Sequence, residues 1–81
     1  MAASDQPEAA YVVRLTVQDV GARVVVRRRL DGGGLGDLLG ELERWDDMAV
    51  VVRDRHGTGH VVRRTDVVAG KRVPPAPDRR P

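Results

Sequence analysis

His56 and His60 stand four residues apart, with Asp54 just upstream. On a helix that spacing would bring two imidazoles to one side, ready to ligate zinc. Gly57 and Gly59 lie between them, however, so Asp54-Arg55-His56-Gly57-Thr58-Gly59 reads as a polar hairpin loop. The two rings would then flank the loop and could face each other across it, with Asp54 as a third ligand. Histidines at hairpin tips are far more often solvated, and no metal site is assigned. The Gly-rich run Asp31-Gly32-Gly33-Gly34-Leu35-Gly36 invites comparison with a phosphate cradle. It lacks the Gly-Lys-Ser/Thr of a Walker loop, and Leu39 occupies the place where Gly-x-Gly-x-x-Gly needs its last glycine. It reads instead as a flexible connection between two strands. Asp46-Asp47 is most simply a turn, and no Ser/His/Asp set carries a recognisable nucleophile motif. No catalytic, cofactor-binding or metal residue is assigned.

The arginines are the remaining surface signal. Arg23, Arg27 and Arg29 alternate on one face of a strand-like run, and Arg63 and Arg64 could add to them. Such a face would suit nucleic acid or an acidic partner. Single-strand binders also need aromatic stacking platforms, and this chain has only Trp45 and Tyr11. The same shortage argues against a methyl-lysine cage and a proline-peptide groove. A solvated basic face is the plainer reading. These five arginines are the one candidate interaction face.

The elements that must carry these residues are drawn from an unusual palette. The 81 residues suffice for one small domain, and 15 of them are valine, with no Ile, Phe or Cys. A Val- and Leu-based core favours pleated sheet over helix. The absence of cysteine removes disulfides and Cys-based zinc sites. Apolar runs are only a few residues long, and the start, with Asp5, Pro7 and Glu8, is unlike a signal peptide. A soluble, cytoplasmic protein is expected, with no membrane partner. Of 14 basic residues 13 are Arg, yet the net charge is only +2, too small to imply a polyanionic partner by itself.

Strand signals fall at Arg23–Leu30, Met48–Arg53, His60–Arg64 and Val67–Val73, each Val-rich and bounded by Gly, Asp or Pro. Thr65-Asp66 marks a tight turn before the last of them. That spacing suggests a small barrel or sandwich. Leu35–Trp45 is ambiguous. Leu35, Leu38, Leu39, Leu42 and Trp45 follow a helical period, whereas Gly36 and Gly40 each cost a helix about 1 kcal/mol relative to Ala. As a strand, Leu38, Gly40 and Leu42 would share a face, and Gly40 would permit a bend or a close backbone approach. Residues 1–10 read as a disordered lead-in, 11–73 as the domain, and 74–81 as a Pro-rich linker or tail. A tail of that kind usually leads onward, so the chain is expected to be one piece of a longer protein.

Three segments resemble the N-terminal accessory domain of actinobacterial GNAT-family N-acetyltransferases. They are Asp19–Leu30, then Gly36–Leu42 with the Trp45-Asp46-Asp47 turn, and Asp66–Pro75, the best match. The resemblance spans roughly Val17 to Pro75. It implies an all-β, SH3-like barrel of about five strands, joined by a linker to an acetyl-CoA-binding domain. It also implies that Leu35–Trp45 is a long bent strand. Val24/Val26, Leu38/Leu42, Val50/Val52 and Val61, with Val67 or Val68, would then fill the barrel. The acetyl-CoA loop of that family, Gln/Arg-x-x-Gly-x-Gly/Ala before a helix, is not assigned here, because the Gly-rich run that follows Arg29 reads as a connection between two strands. The expectation is a non-catalytic accessory module, with acetyl-CoA confined to a catalytic domain outside this chain. Its partner would be that acetyltransferase domain in cis or another protein. The alternative is a stand-alone barrel adaptor binding nucleic acid or an acidic partner through the arginine face.

Overall fold

Turn chemistry sets the first hairpin. In a computed structural model that describes residues 11–75, β1 (Arg23–Arg29) and β2 (Leu35–Trp45) pair antiparallel from Arg23↔Glu41 to Arg29↔Leu35. Between them the Leu30 N–H donates to the Gly34 carbonyl at 2.8 Å and the Gly33 N–H to the Leu30 carbonyl at 3.0 Å. Gly32 and Gly33 hold φ at 89° and 106°, where a side chain is disfavoured. The chain reversal therefore accounts for the Gly-rich run. The expected disordered lead-in at 1–10 and residues 76–81 of the expected tail lie outside the described residues.

Three further strands complete the sheet: β3 (Ala49–Arg53), β4 (Gly59–Arg63) and β5 (Val67–Arg72). The order is β4-β3-β2-β1-β5 and every strand pair is antiparallel. A 3-10 turn at Arg64–Asp66 links β4 to β5, where the sequence placed a tight turn. A second, at Val17–Asp19, is capped by Thr16, whose hydroxyl accepts from the Gln18 N–H while its own N–H donates to Asp19. Among the described residues there is no α-helix. The result is the all-β, five-stranded, small barrel-like fold that the resemblance implied.

β2 is extended along all 11 residues. Gly36, Leu38, Gly40 and Leu42 turn inward, while Leu35 and Leu39 sit on the outer face about half exposed. Those two outward leucines are what gave the segment its helical period. A register shift between Leu42 and Arg44 bends the strand, so that its first part pairs with β1 and its end with β3. Gly40 sits at the crossing. A Cβ there would lie 2.1 Å from the Arg53 carbonyl oxygen.

Inward alternation on the strands builds the core. Val24 and Val26 come from β1, Leu38 and Leu42 from β2, Val50 and Val52 from β3, Val62 from β4 and Val67 from β5. Trp45 packs against this cluster at the bent end of β2. Two features differ from the sequence reading. Val62, not Val61, points inward, because β4 pairs Val62 with the buried Val50, leaving Val61 70% exposed. Leu15, unassigned by the sequence, is buried under β5, where Gly70 leaves room for it.

Candidate functional site

With one set of alternate residues inside, the other set forms the outer face of β5-β1-β2. Val25 stands opposite Leu39 on β2 and Lys71 on β5, while Arg27 stands between Asp37 and Ala69. The Arg27 guanidinium grips Asp37 with two bonds, Nε–Oδ1 at 2.8 Å and Nη2–Oδ2 at 3.1 Å. That grip holds the Asp37 carboxyl below its ordinary pKa. Arg27 also lies 5.6 Å from the centre of the Tyr11 ring.

A strap from the N-terminal side borders this face. Val13 bridges in parallel to Gly70, with the Arg14 N–H donating to the Gly70 carbonyl at 2.8 Å and the Gly70 N–H to Val12 at 3.1 Å. Between strap and sheet lies a groove of about 450 Å³. Val12, Val25 and Ala69 supply its apolar lining, and Arg14, Arg27 and Lys71 its positive charge. Sequence reasoning missed Arg14 and Lys71, which stand near opposite ends of the domain and meet only because the strap pairs with β5. The alternation of Tyr11-Val12-Val13-Arg14-Leu15, ending on an apolar residue, was the available signal.

Of the five arginines singled out by sequence, three are engaged by acceptors within the domain and a fourth lies over an aromatic ring. Arg23 donates to the Pro74 carbonyl, Arg27 is tied to Asp37, and Arg29 donates to the Thr65 carbonyl. Arg64 lies over the Trp45 ring at 4.6 Å. Arg63 is exposed at the end of β4, just before the Arg64–Asp66 turn. The Arg29–Thr65 contact brings one end of β1 beside the β4–β5 turn, while Arg23 stands at the other end.

The hairpin between β3 and β4 is organised by Asp54. One carboxylate oxygen accepts from the His56 and Thr58 N–H groups, and the other meets His60 Nε2 at 2.8 Å. These partners, His60 foremost, bring the Asp54 pKa down to about 2. The His56 ring stays out of that pair and lies beside the Arg55 guanidinium. Among the described residues no group of three His, Asp or Glu side chains is placed to hold a metal ion. Asp46 closes the β2–β3 turn. It accepts from the Ala49 and Met48 N–H groups at 2.8 Å each and from Arg44 at 2.6 Å, which lowers its pKa to about 2. Both aspartates are thus spent on turns. No helix among the described residues is long and apolar enough to cross a membrane.

Residues 18–71, from within the Val17–Asp19 turn to the next-to-last residue of β5, match the model of a family described as the Rv0428c N-terminal Sm-like domain. The chain belongs to that family. The Sm-like match covers the five strands up to Lys71 and leaves out the strap and Leu15. No curated protein and no solved structure matches the chain. The family's description names a domain and its place in the namesake protein and makes no mention of acetyl transfer.

Proposed function

We propose that this Sm-like domain is a non-catalytic interaction module, the N-terminal accessory domain of a cytoplasmic GNAT-family N-acetyltransferase. The observation that carries the reading is membership in a family defined by an N-terminal Sm-like domain. The three segments resembling the acetyltransferase accessory domains support the acetyltransferase part. They fall on β1, on β2 with its turn, and on β5, so the likeness lies in the scaffold and not in a pocket of reactive groups. The partner is the catalytic domain in cis or a protein that it acts on, and acetyl-CoA belongs to that catalytic domain.

Two measurements test this. Calorimetry of the chain with acetyl-CoA should give no binding heat. Residues 29–34, which have the spacing of a pyrophosphate loop, form the end of β1 and its turn into β2, and no α-helix follows them among the described residues. Micromolar binding would overturn the reading. The coding frame beyond Pro81 should continue into a domain bearing the Gln/Arg-x-x-Gly-x-Gly/Ala loop, and a frame without one removes the acetyltransferase parent. Affinity for short DNA or RNA that falls steeply with salt would favour the nucleic-acid adaptor instead. Against that adaptor stand the internal contacts of Arg23, Arg27 and Arg29.

A further inference from the structure

The groove between the Val12–Arg14 strap and the outer face of β1 and β5 has an uneven charge balance. Among the described residues Asp37 is its one carboxylate, and Arg27 neutralises it with two hydrogen bonds. Arg14 and Lys71 also line the groove, and neither has an ion-pair or side-chain hydrogen-bond partner among the described residues. Two cations with no counter-ion among the described residues therefore share the groove with a lining of Val12, Val25 and Ala69. Cations over aliphatic groups complement a chain that offers carboxylates and aliphatic side chains together.

We infer that this groove takes an extended acidic peptide segment of a protein partner. Its carboxylates meet Arg14 and Lys71, and its aliphatic side chains lie on Val12, Val25 and Ala69. An extended segment sends alternate side chains to opposite sides, so acidic and aliphatic residues in alternation satisfy both demands. Strand addition is not the mode, because the strap already pairs with Gly70. Single-stranded nucleic acid fits the groove poorly. Such a strand needs free aromatic rings on which its bases stack, and the neighbouring Tyr11 ring already has Arg27 over it. The inference rests on the reading of the chain as an interaction module.

The test is an amide-shift titration of the isotope-labelled chain with a short end-blocked peptide of alternating Glu and Val. A Lys-Val peptide and a short oligothymidylate serve as comparison probes. The expected result is saturable shifts at Val12, Arg14, Val25, Ala69 and Lys71 with the acidic peptide alone. Affinity should fall about tenfold or more in the Arg14→Glu/Lys71→Glu variant. Lys71→Gln, which adds no repulsion, should fall in the same direction and guards against a folding defect in the double variant. No shifts at millimolar peptide overturn the inference, as do shifts confined to the Arg55–His56 hairpin or variants that bind like the parent. Oligothymidylate shifting the same amides as tightly also overturns it. These failures leave the module reading standing, whereas acetyl-CoA binding in the same sample would overturn that reading and not the groove.

Discussion

At Gly40 an added methyl group would lie 2.1 Å from the Arg53 carbonyl oxygen and 2.8 Å from its carbon. Both are backbone atoms, which cannot swing aside as a side chain can. Gly40→Ala should therefore cost about 1–3 kcal/mol, and Gly40→Val at least as much. For a domain of this size that lowers the melting temperature by about 4–8 °C per kcal/mol. A Gly40→Ala melt at or above the parent's would refute the close approach. Gly36 supplies the contrast, since a Cβ there meets only the end of the Leu30 side chain, at 3.2 Å. Gly36→Ala should be the milder change. Asp54 and Asp46 make a different kind of prediction. Each has its pKa brought from 3.8 to about 2, by His60 and backbone N–H groups at Asp54 and chiefly by the Ala49 N–H at Asp46. A carboxyl group with a depressed folded-state pKa stabilises the fold above its unfolded value and loses that contribution as pH falls towards the folded value. Melting temperature should thus hold down to about pH 4 and drop between about pH 4 and pH 2. Asp54→Asn keeps a carbonyl oxygen for the His56 and Thr58 N–H groups and removes the charge. Its melts across the same range should show a shallower acid drop, and an unchanged drop would count against the Asp54 account.

Among the elements, those whose inward and outward faces differ in residue type could be read directly. Arg23–Arg29 and Ala49–Arg53 each carry three valines in a row, and the flanking Arg23, Arg27 and Arg53 mark the outer face that Val25 and Val51 share, which leaves Val24, Val26, Val50 and Val52 inside. β2 could not be read that way, because Leu35 and Leu39 are as apolar as the buried Leu38 and Leu42. Periodicity then reports a helix that the two glycines and the pairing with β1 and β3 override. β4 was ambiguous for a related reason. Two adjacent valines, Val61 and Val62, give alternation no purchase, and a shift of one residue exchanges the two faces. The pairing of Val62 with Val50 settles the register and yields a sharp prediction. Val62→Asp places an unpaired charge in the core and should unfold the domain, since such burial costs several kcal/mol. Val61→Asp, on the exposed face, should change stability by no more than about 0.5 kcal/mol. Amide-proton dispersion and thermal melts of the two variants test the pair, and equal effects would refute the register.

For the molecule as a whole, the candidate site was far less legible than the fold, because it depends on tertiary contact between distant residues. Alternation along β1 identified Arg23, Arg27 and Arg29, but it could not show that each already has an acceptor nearby. Nor could it bring Arg14 to Lys71, which the strap across Gly70 does. The strap also decides where the folding unit begins. The Sm-like family match starts at residue 18, yet Leu15 is only 4% exposed, and the strap makes two backbone hydrogen bonds with Gly70. A Cβ on Gly70 would fall 2.8 Å from a Leu15 methyl, so the glycine is the seat into which Leu15 packs. Removing a buried leucine side chain costs about 2–5 kcal/mol, a large share of the stability of a domain with so small a core. A chain beginning at Thr16 should therefore melt at least about 10 °C below one beginning at Tyr11. Leu15→Ala in the longer chain should account for most of the difference, because it empties the seat while leaving the strap's backbone bonds in place. Equal melts for the two chains would confine the folding unit to the family-matched span and reduce the strap to a bank of the groove.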